Sequence, residues 1–239
     1  MHPFPGDSRT GEGKGEEKCM TELLEQIIAA GPLDWIALLT SLAYVFLAAR
    51  DNNWCWFFAA ISTAVWAYQS FVVYQLVSDG FLQLFYFVMA GIGLWQWQRM
   101  GKTASMDIEA SPELLDSSAL PERAGSSIQR MTLLEHVFVI VLGLIGGWLL
   151  HLFVSGIFTA AATLPDGITT SFSIITTFLL IWRKLENWLY WIVIDLIYVW
   201  LYGSVGANLF SLMMVINVGM AIYGFSYWRK ELRMAKQVG

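Results

Sequence analysis

The chain has 239 residues, of which 56% are hydrophobic and 14% are charged, with a formal net charge of −5 at pH 7. Soluble domains have about 25% charged residues, so this composition excludes an ordinary water-soluble globule, and its 12 Trp, 9 Tyr and 15 Phe residues exclude a disordered chain. The acidic balance argues against a nucleic-acid-binding protein. An integral membrane protein is what remains.

The first 33 residues are predicted to be a polar N-terminal tail. Residues 1–18 contain no apolar stretch followed by small cleavage residues, so they do not have the pattern of a signal peptide. We expect this segment to lie outside the bilayer.

Seven segments are predicted to be transmembrane helices, because a helix needs about 20 apolar residues to cross a hydrocarbon core of roughly 30 Å. They are Asp34–Ala49, Asn53–Val77, Phe81–Gln98, Thr132–Phe158, Ile168–Trp182, Trp188–Ser204 and Asn208–Trp228. Residues 99–131 are polar and are predicted to be a solvated cytoplasmic loop with room for one surface helix. Residues 229–239 are predicted to be a basic cytoplasmic tail.

The distribution of basic residues predicts the orientation of these helices. Eleven of the 14 Lys and Arg residues lie in the connections and the C-terminal tail on one side, and the other three lie in the N-terminal tail. Cytoplasmic connections are enriched in Lys and Arg. We therefore expect an external N-terminus and a cytoplasmic C-terminus.

The chain also contains an internal repeat. At an offset of 134 residues, Asn53-Trp54 aligns with Asn187-Trp188, and Trp66 and Tyr68 align with Trp200 and Tyr202; at an offset of 131, Gly93 and Trp97 align with Gly224 and Trp228. We interpret this as two parallel three-helix repeats over 34–98 and 159–228, joined by a linker helix at 132–158. Such transporters bind ligands between their repeats near the midplane. Chance matching in a Trp-rich chain is the alternative interpretation.

Asp195 is the one acidic residue deep inside a predicted span. Charged residues inside a membrane are costly, so Asp195 is a candidate functional residue. Trp188 and Trp191 precede it by seven and four positions, which places all three on one helical face. Two aromatic rings beside a carboxylate suit a flat organic cation. The alternative is a structural role, with a protonated or hydrogen-bonded Asp195 packed against a neighbouring helix.

Gln83, Gln96, Asn217 and Thr177 are further polar residues inside the predicted spans. Their amides and hydroxyl could orient a ligand that carries hydroxyl groups. Interhelical hydrogen bonding is the alternative, and for Thr177 it is the preferred one.

Trp97 and Trp228 lie at span ends beside Arg99 and Arg229, where aromatic belts form. We interpret both as anchors at the membrane interface.

Catalytic motifs are missing from the sequence. It has no HExxH, no GxSxG and no phosphate-binding glycine loop, and His2, His136 and His151 do not form a ligand cluster. We therefore predict no enzyme, no metal site and no cofactor. Since there is also no chain of intramembrane carboxylates and no ATP-binding domain, facilitated diffusion is the simplest mechanism.

The segment Arg183–Asp195, RKLENWLYWIVID, resembles the signature of the PnuC family of vitamin transporters. LQLFY at 82–86 and GLWQW at 93–97 look like the matching stretch of the first repeat. The resemblance implies a SWEET-like three-plus-one-plus-three fold, a homotrimer and a place among the lipids of the cell inner membrane. It also implies that a vitamin precursor crosses by facilitated diffusion and that a cytoplasmic kinase traps it by phosphorylation.

The resemblance implies nicotinamide riboside as the substrate, with thiamine as the alternative within the family. Both carry an aromatic cation, which fits rings beside a carboxylate. Nicotinamide riboside carriers often have Asn where this chain has Asp195. The chain also lacks the Asn, Tyr and Trp that are common around Ala90, Ile92 and Leu94.

By resemblance, four residues occupy substrate-site positions: Gln83, Trp188, Trp191 and Asp195. We expect the two Trp rings to stack on the ligand ring, Asp195 to tune its charge, and Gln83 and Asn217 to bind its carboxamide or hydroxyl groups. Tyr223 is a further candidate wall residue. A vitamin-binding membrane receptor and an embedded enzyme are the rivals from other classes.

Overall fold

The computed structural model describes residues 20–73, 77–109, 128–157, 164–204 and 208–238. The helices in these ranges are α1 (20–29), α2 (Pro32–Ala49), α3 (Cys55–Tyr68), α4 (Val77–Glu109), α5 (Leu133–Ile157), α6 (Leu164–Ile181), α7 (Asn187–Ser204) and α8 (Asn208–Val238). A π-helical turn, Gln69–Val73, continues α3. The prediction of an all-α protein is confirmed.

Within the described residues, five helices are long and apolar enough to cross a membrane, namely α2, α3 with its π-helical turn, α5, α6 and α8. α4 and α7 occupy the positions of two further predicted spans, and polar residues such as Asn187 and Asp195 lower the hydropathy of α7. On α5, Leu133, Phe138 and Phe153 leave most of their side-chain surface exposed. A surface of this kind belongs in lipid, so the protein is a multi-pass membrane protein.

Two helices extend beyond their predicted segments. α4 continues to Glu109, although its predicted span ended at Gln98, and α8 continues to Val238 instead of ending at Trp228. Hydropathy marks where the apolar residues end, whereas a helix continues into water until a stop signal ends it. Residues 110–127 of the predicted loop lie outside the described residues.

α1 lies in the segment that was predicted to be a polar tail. Its apolar residues Leu23, Leu24, Ile27 and Ile28 have helical spacing. Ten residues are too few to cross a membrane, so a search for spans does not detect this helix. Residues 1–19 lie outside the described residues.

The remaining helices form two consecutive groups. α2, α3 and α4 pack against each other, α6, α7 and α8 do likewise, and α5 packs against α6. The groups meet where the first helix of each contacts the last helix of the other, α2 against α8 and α4 against α6. This arrangement leaves space between the groups.

The turns after α2 and α6 have the same backbone geometry. Asp51 and Arg183 both adopt positive φ angles, 54° and 52°. The Asp51 amide donates to the Ala48 carbonyl at 3.0 Å, and the Arg183 amide donates to the Leu180 carbonyl at 2.9 Å. A left-handed residue with such bonds is a common helix C-terminal cap. These equivalent residues are 132 positions apart, and we call the end of the bundle where these turns lie the basic end.

An offset of 132, rather than the predicted 134, therefore relates the first two helices of each group. Trp54, the predicted partner of Trp188, is 64% exposed, whereas Trp56 is buried like Trp188. In the last helices, Gly93 faces the Trp56 ring and Gly224 faces the Trp188 ring. A Cβ at either glycine would lie within 3 Å of the indole, so only glycine permits this approach.

Candidate functional site

A cavity of about 720 Å³ lies between the two helix groups. All six helices of the groups contribute side chains to its wall. The polar ones are Ser41, Tyr44, Ser62, Thr63, Ser70, Gln83, Tyr86, Ser173, Thr177, Asp195, Tyr198, Tyr202 and Asn217. A mainly apolar and aromatic cavity of this size with a few polar groups is typical of a small-molecule site.

Equivalent positions of α3 and α7 line this cavity. Ala59, Thr63 and Trp66 from α3 correspond, at the offset of 132, to Trp191, Asp195 and Tyr198 from α7. Spacings of four and three residues keep each set on one helical face. α3 and α7 therefore present equivalent positions to the cavity, but the side chains at these positions differ.

α4 and α8 line the cavity in the same way. At an offset of 131, Gln83, Tyr86 and Ala90 correspond to Met214, Asn217 and Ala221, and all six line the cavity. Gln83 and Asn217 therefore come from opposite helix groups. They are not equivalent residues, because Asn217 corresponds to Tyr86 in the repeat. The two predicted amide ligands are brought to one cavity.

Asp195 is the one charged residue among the described residues that line the cavity. It is 7% exposed, and no Lys, Arg or His belongs to this described lining. A buried carboxylate without a counter-ion is costly. The site is therefore suited electrostatically to an organic cation and opposed to an anion.

The two predicted stacking residues have different positions. Trp191 is half-buried and lines the cavity wall. Trp188 is 2% exposed, packs against Gly224 and makes an edge contact with Trp228, with ring centroids 5.5 Å apart. Trp191 thus exposes part of its side chain to the cavity, while Trp188 forms the floor of the cavity.

Trp56 forms the other half of this floor, and the sequence reasoning missed it. The indole nitrogens of Trp56 and Trp188 are buried and have no hydrogen-bond partner among the described residues. Neither nitrogen is in contact with solvent, so a hydrogen bond from either N–H to a ligand would require the floor to rearrange. The signal that could have found Trp56 is the offset of 132, which pairs it with Trp188.

Trp97 and Trp228 lie beneath the floor and close the basic end of the cavity. The Trp97 indole N–H donates to the Ile181 carbonyl at 3.1 Å, and the Trp228 indole N–H donates to the Ala48 carbonyl at 3.2 Å. Each helix group thus donates one bond to the other. Both side chains are fully buried, so their interpretation as interface anchors was wrong: a Trp at a span end beside Arg can also face inward.

An ion pair across the two turns adds to this closure. The Arg183 Nε lies 3.1 Å from the Asp51 Oδ1, and its guanidinium lies 4.4 Å from the centre of the Trp97 ring. Burial raises the pKa of the Asp51 carboxyl to about 6, although the Arg183 charge opposes that shift and Glu231 adds to it. The pair is therefore held in a partly dehydrated place between the groups.

The remaining predicted residues lie elsewhere or bond locally. Tyr223 is 41% exposed, stacks on Phe46 at 6.3 Å and is absent from the described cavity lining. It follows Asn217 by six positions, which turns it to another face of α8, and its predicted wall role does not fit this position.

Thr177 lines the cavity, but its hydroxyl donates to the Ser173 carbonyl of its own helix at 2.8 Å instead of joining two helices. Gln96 is not part of the described lining.

Residues 31–230 match the protein family described as "Nicotinamide mononucleotide transporter". The chain belongs to this transporter family. It is 24% identical over 222 residues to the Nicotinamide riboside transporter PnuC of Neisseria mucosa, a match that covers 87% of this chain and 76% of the relative. The resemblance to the PnuC family is thus confirmed, and with it a role in transport rather than catalysis.

A solved PnuC structure has the same fold. The crystal structure of the Vitamin B3 transporter PnuC superposes on this chain with a TM-score of 0.67 at 20% sequence identity, over 97% of this chain and 95% of the other. The long helices and the space between the two groups therefore belong to a PnuC-like fold.

Proposed function

We propose that the protein mediates facilitated diffusion of nicotinamide riboside across the cell inner membrane and that the riboside binds in the central cavity. The observation that carries the proposal is a cavity with aromatic walls whose single described charge is the Asp195 carboxylate. Nicotinamide riboside combines a flat cationic ring with a neutral hydroxylated sugar. The ring gains from cation–π and charge attraction, and the sugar gains from the surrounding hydroxyls and amides.

The same charge pattern favours the riboside over the mononucleotide that the family description names. A phosphate monoester carries about −1.5 to −2 charges at neutral pH and needs cationic or N–H donors in a buried site. The described lining has no basic residue, and Asp195 would repel the phosphate. A phosphate in this cavity would therefore be strongly disfavoured.

In the proposed complex, Trp191 stacks on the pyridinium ring and Asp195 lies near its positive charge. Gln83 and Asn217 bind the carboxamide or the ribose hydroxyls from opposite helix groups. Trp56 and Trp188 form the floor of the site beneath the bound riboside.

The proposed architecture has seven spans in two parallel three-helix repeats, α2–α4 and α6–α8, with α5 as the linker. The equivalent turns after α2 and α6 support it, as do the constant offsets along the cavity wall, which are 132 between α3 and α7 and 131 between α4 and α8. The excess of Lys and Arg at the basic end supports a cytoplasmic location for that end and an external N-terminus. The homotrimer is carried over from the family resemblance.

Transport in this scheme is an alternating exposure of the cavity as one repeat rocks against the other. Opening at the basic end requires the two repeats to move apart. This movement breaks the two indole–carbonyl hydrogen bonds and the Asp51–Arg183 ion pair. Intracellular phosphorylation then traps the riboside inside the cell. The phosphorylated form does not fit the cavity, so the transporter does not carry it back out.

Calorimetric titration of the purified protein in detergent tests the ligand. Heat with nicotinamide riboside and none with nicotinamide mononucleotide is the expected result. Thiamine is the second candidate, since its thiazolium ring also suits Trp191 and Asp195. Heat with thiamine alone would replace the substrate, and no heat with any of the three in folded protein would overturn the proposal.

Uptake into protein-only liposomes tests the mechanism. A transporter equilibrates labelled riboside across the bilayer without an ion gradient, whereas a receptor only binds it. Enclosing a riboside kinase and ATP should carry total label beyond equilibrium. Label that never exceeds the bound amount would contradict a transport role.

A further inference from the structure

A second cavity, of about 360 Å³, lies at the end of the bundle opposite the basic end. It is open on one side and is lined by the end of α1, by the first two turns of α2 and α8, and by Trp66 of α3. Three residues, Trp66, Phe210 and Met213, line this cavity and the central one alike. The Trp66 and Phe210 ring centroids are 6.0 Å apart, and this aromatic pair lies with Met213 where the two cavities adjoin.

The chemistry of this outer cavity repeats that of the central site. Asp34 is the one charged residue in its described lining, and Trp35 and Trp66 supply aromatic surface. The Asp34 carboxylate accepts hydrogen bonds from the Gly31 amide at 2.7 Å and from the Gln69 side-chain amide. These two bonds hold the carboxylate in place at the start of α2.

α1 forms a fixed wall of the outer cavity. Gln26 lines the outer cavity, and its side-chain oxygen accepts a hydrogen bond from the Leu209 amide at 2.9 Å. The Asn208 side chain donates to the Glu22 carboxylate at 3.2 Å. Both bonds hold α1 against the first turn of α8. This short helix therefore forms one wall of the outer cavity.

We propose that the outer cavity is a vestibular binding site, where a flat organic cation is held by Asp34 and by the Trp35 and Trp66 rings before it passes the Trp66–Phe210 pair. This inference rests on the proposed function, because it assigns the same class of substrate to a second site. The site raises the local concentration of the cation at the mouth of the central cavity.

The chain offers a matched control for Asp34. At the offset of 132, Asp166 occupies the equivalent first-turn position of α6, and it lines neither cavity in the described residues. Asp34→Asn and Asp166→Asn remove the same charge from equivalent helix ends. Gln26→Glu makes the opposite change, since it adds a negative charge to the vestibule and retains the oxygen that accepts the Leu209 bond.

Initial rates of uptake into liposomes that contain the full-length protein test the inference, with nicotinamide riboside and its uncharged 1,4-dihydro form as probes. Asp34→Asn should raise the KM for the cation about fivefold, with an unchanged maximal rate and an unchanged KM for the neutral probe. Gln26→Glu should lower the KM for the cation, and Asp166→Asn should leave it within twofold of the wild-type value.

Equal KM values in Asp34→Asn and Asp166→Asn would overturn the vestibule, as would an equal defect for both probes, which indicates a structural role. If Asp34→Asn does not fold, an unchanged KM in Gln26→Glu overturns it. Wild-type protein that fails to take up the riboside would overturn the proposed function and this inference together, whereas normal wild-type uptake with unaltered variants overturns the inference alone.

Discussion

The two walls of the central cavity share a backbone geometry but differ in chemistry. Where α7 places Trp191 and Asp195, α3 places Ala59 and Thr63. The second group therefore supplies the ring and the charge. The comparison teaches that packing fixes where side chains meet the cavity, while a few positions decide what it binds.

The other pair of helices reverses part of this bias. α4 supplies the Gln83 amide where α8 has Met214, and α8 supplies Asn217 where α4 has Tyr86. Each group thus contributes one amide at a different level of the wall. A ligand with a ring at one end and hydroxyls along its length matches this uneven distribution better than a symmetric ligand does.

Removal of the ring from the α7 wall should have the largest effect. Trp191→Ala should weaken riboside binding about 50-fold, since it deletes both stacking area and cation–π attraction, and calorimetry in detergent measures this. Trp200→Ala is the matched control, because Trp200 lies on the same helix and is 64% exposed. Equal affinities of the two variants would show that the α7 wall does not contact the ring.

The layer beneath the floor, formed by Trp97 and Trp228, is the place where the two groups are most alike. Trp97→Phe and Trp228→Phe should each lower the free energy of unfolding by about 2 kcal/mol, because each loses an interhelical hydrogen bond and buried area. Thermal unfolding in detergent measures the loss. Trp95→Phe, at a 57% exposed position of α4, should have little effect. Unequal losses in Trp97→Phe and Trp228→Phe would show that the closure beneath the floor is one-sided.

Exchange of residues between the walls sharpens the comparison. Asp195→Thr should weaken binding of the cationic riboside about tenfold and leave its uncharged 1,4-dihydro form unaffected. Adding Thr63→Asp should restore part of the lost affinity, because the carboxylate returns at the equivalent position of α3. Calorimetry with both ligands decides this, and a double variant no better than Asp195→Thr would contradict the equivalence.

The turns beneath the floor should give the smallest effect, a pH dependence. The folded pKa of Asp51 is raised to about 6, above the usual value near 4, so folded protein holds this proton more tightly than unfolded protein does. Stability from this group is then lost as the pH rises from about 4 to about 6, and it is constant above that.

Asp51→Asn tests this dependence, since Asn tolerates a positive φ and carries no charge. The difference in melting temperature between wild type and variant should change across pH 4 to 6 in the direction that favours the wild type at low pH. A difference that is constant with pH would rule out Asp51 as the titrating group.

The helices and the charged wall could be predicted from the sequence, because both follow from the free-energy cost of placing polar or charged groups in the membrane. A lone carboxylate in an apolar span is conspicuous, so Asp195 and, by helical spacing, Trp191 were found. Trp56 and Thr63 were missed because coincident Trp residues at positions 54, 66 and 200 favoured an offset two residues too long. Which face of a helix a Trp occupies depends on partners distant in the chain, so the burial of Trp97 and Trp228 could not be predicted.

The crossed bonds beneath the cavity also constrain the order in which the protein can be completed. The acceptor for Trp97 is Ile181, 84 residues later in the chain, and the donor for Ala48 is Trp228, 180 residues later. During synthesis, the first group therefore enters the membrane with its half of the closure unpaired. The closure at the basic end is complete only when α8 has been inserted, because α8 carries Trp228. A chain truncated before α8 would therefore lack one of the two indole–carbonyl bonds that close this end.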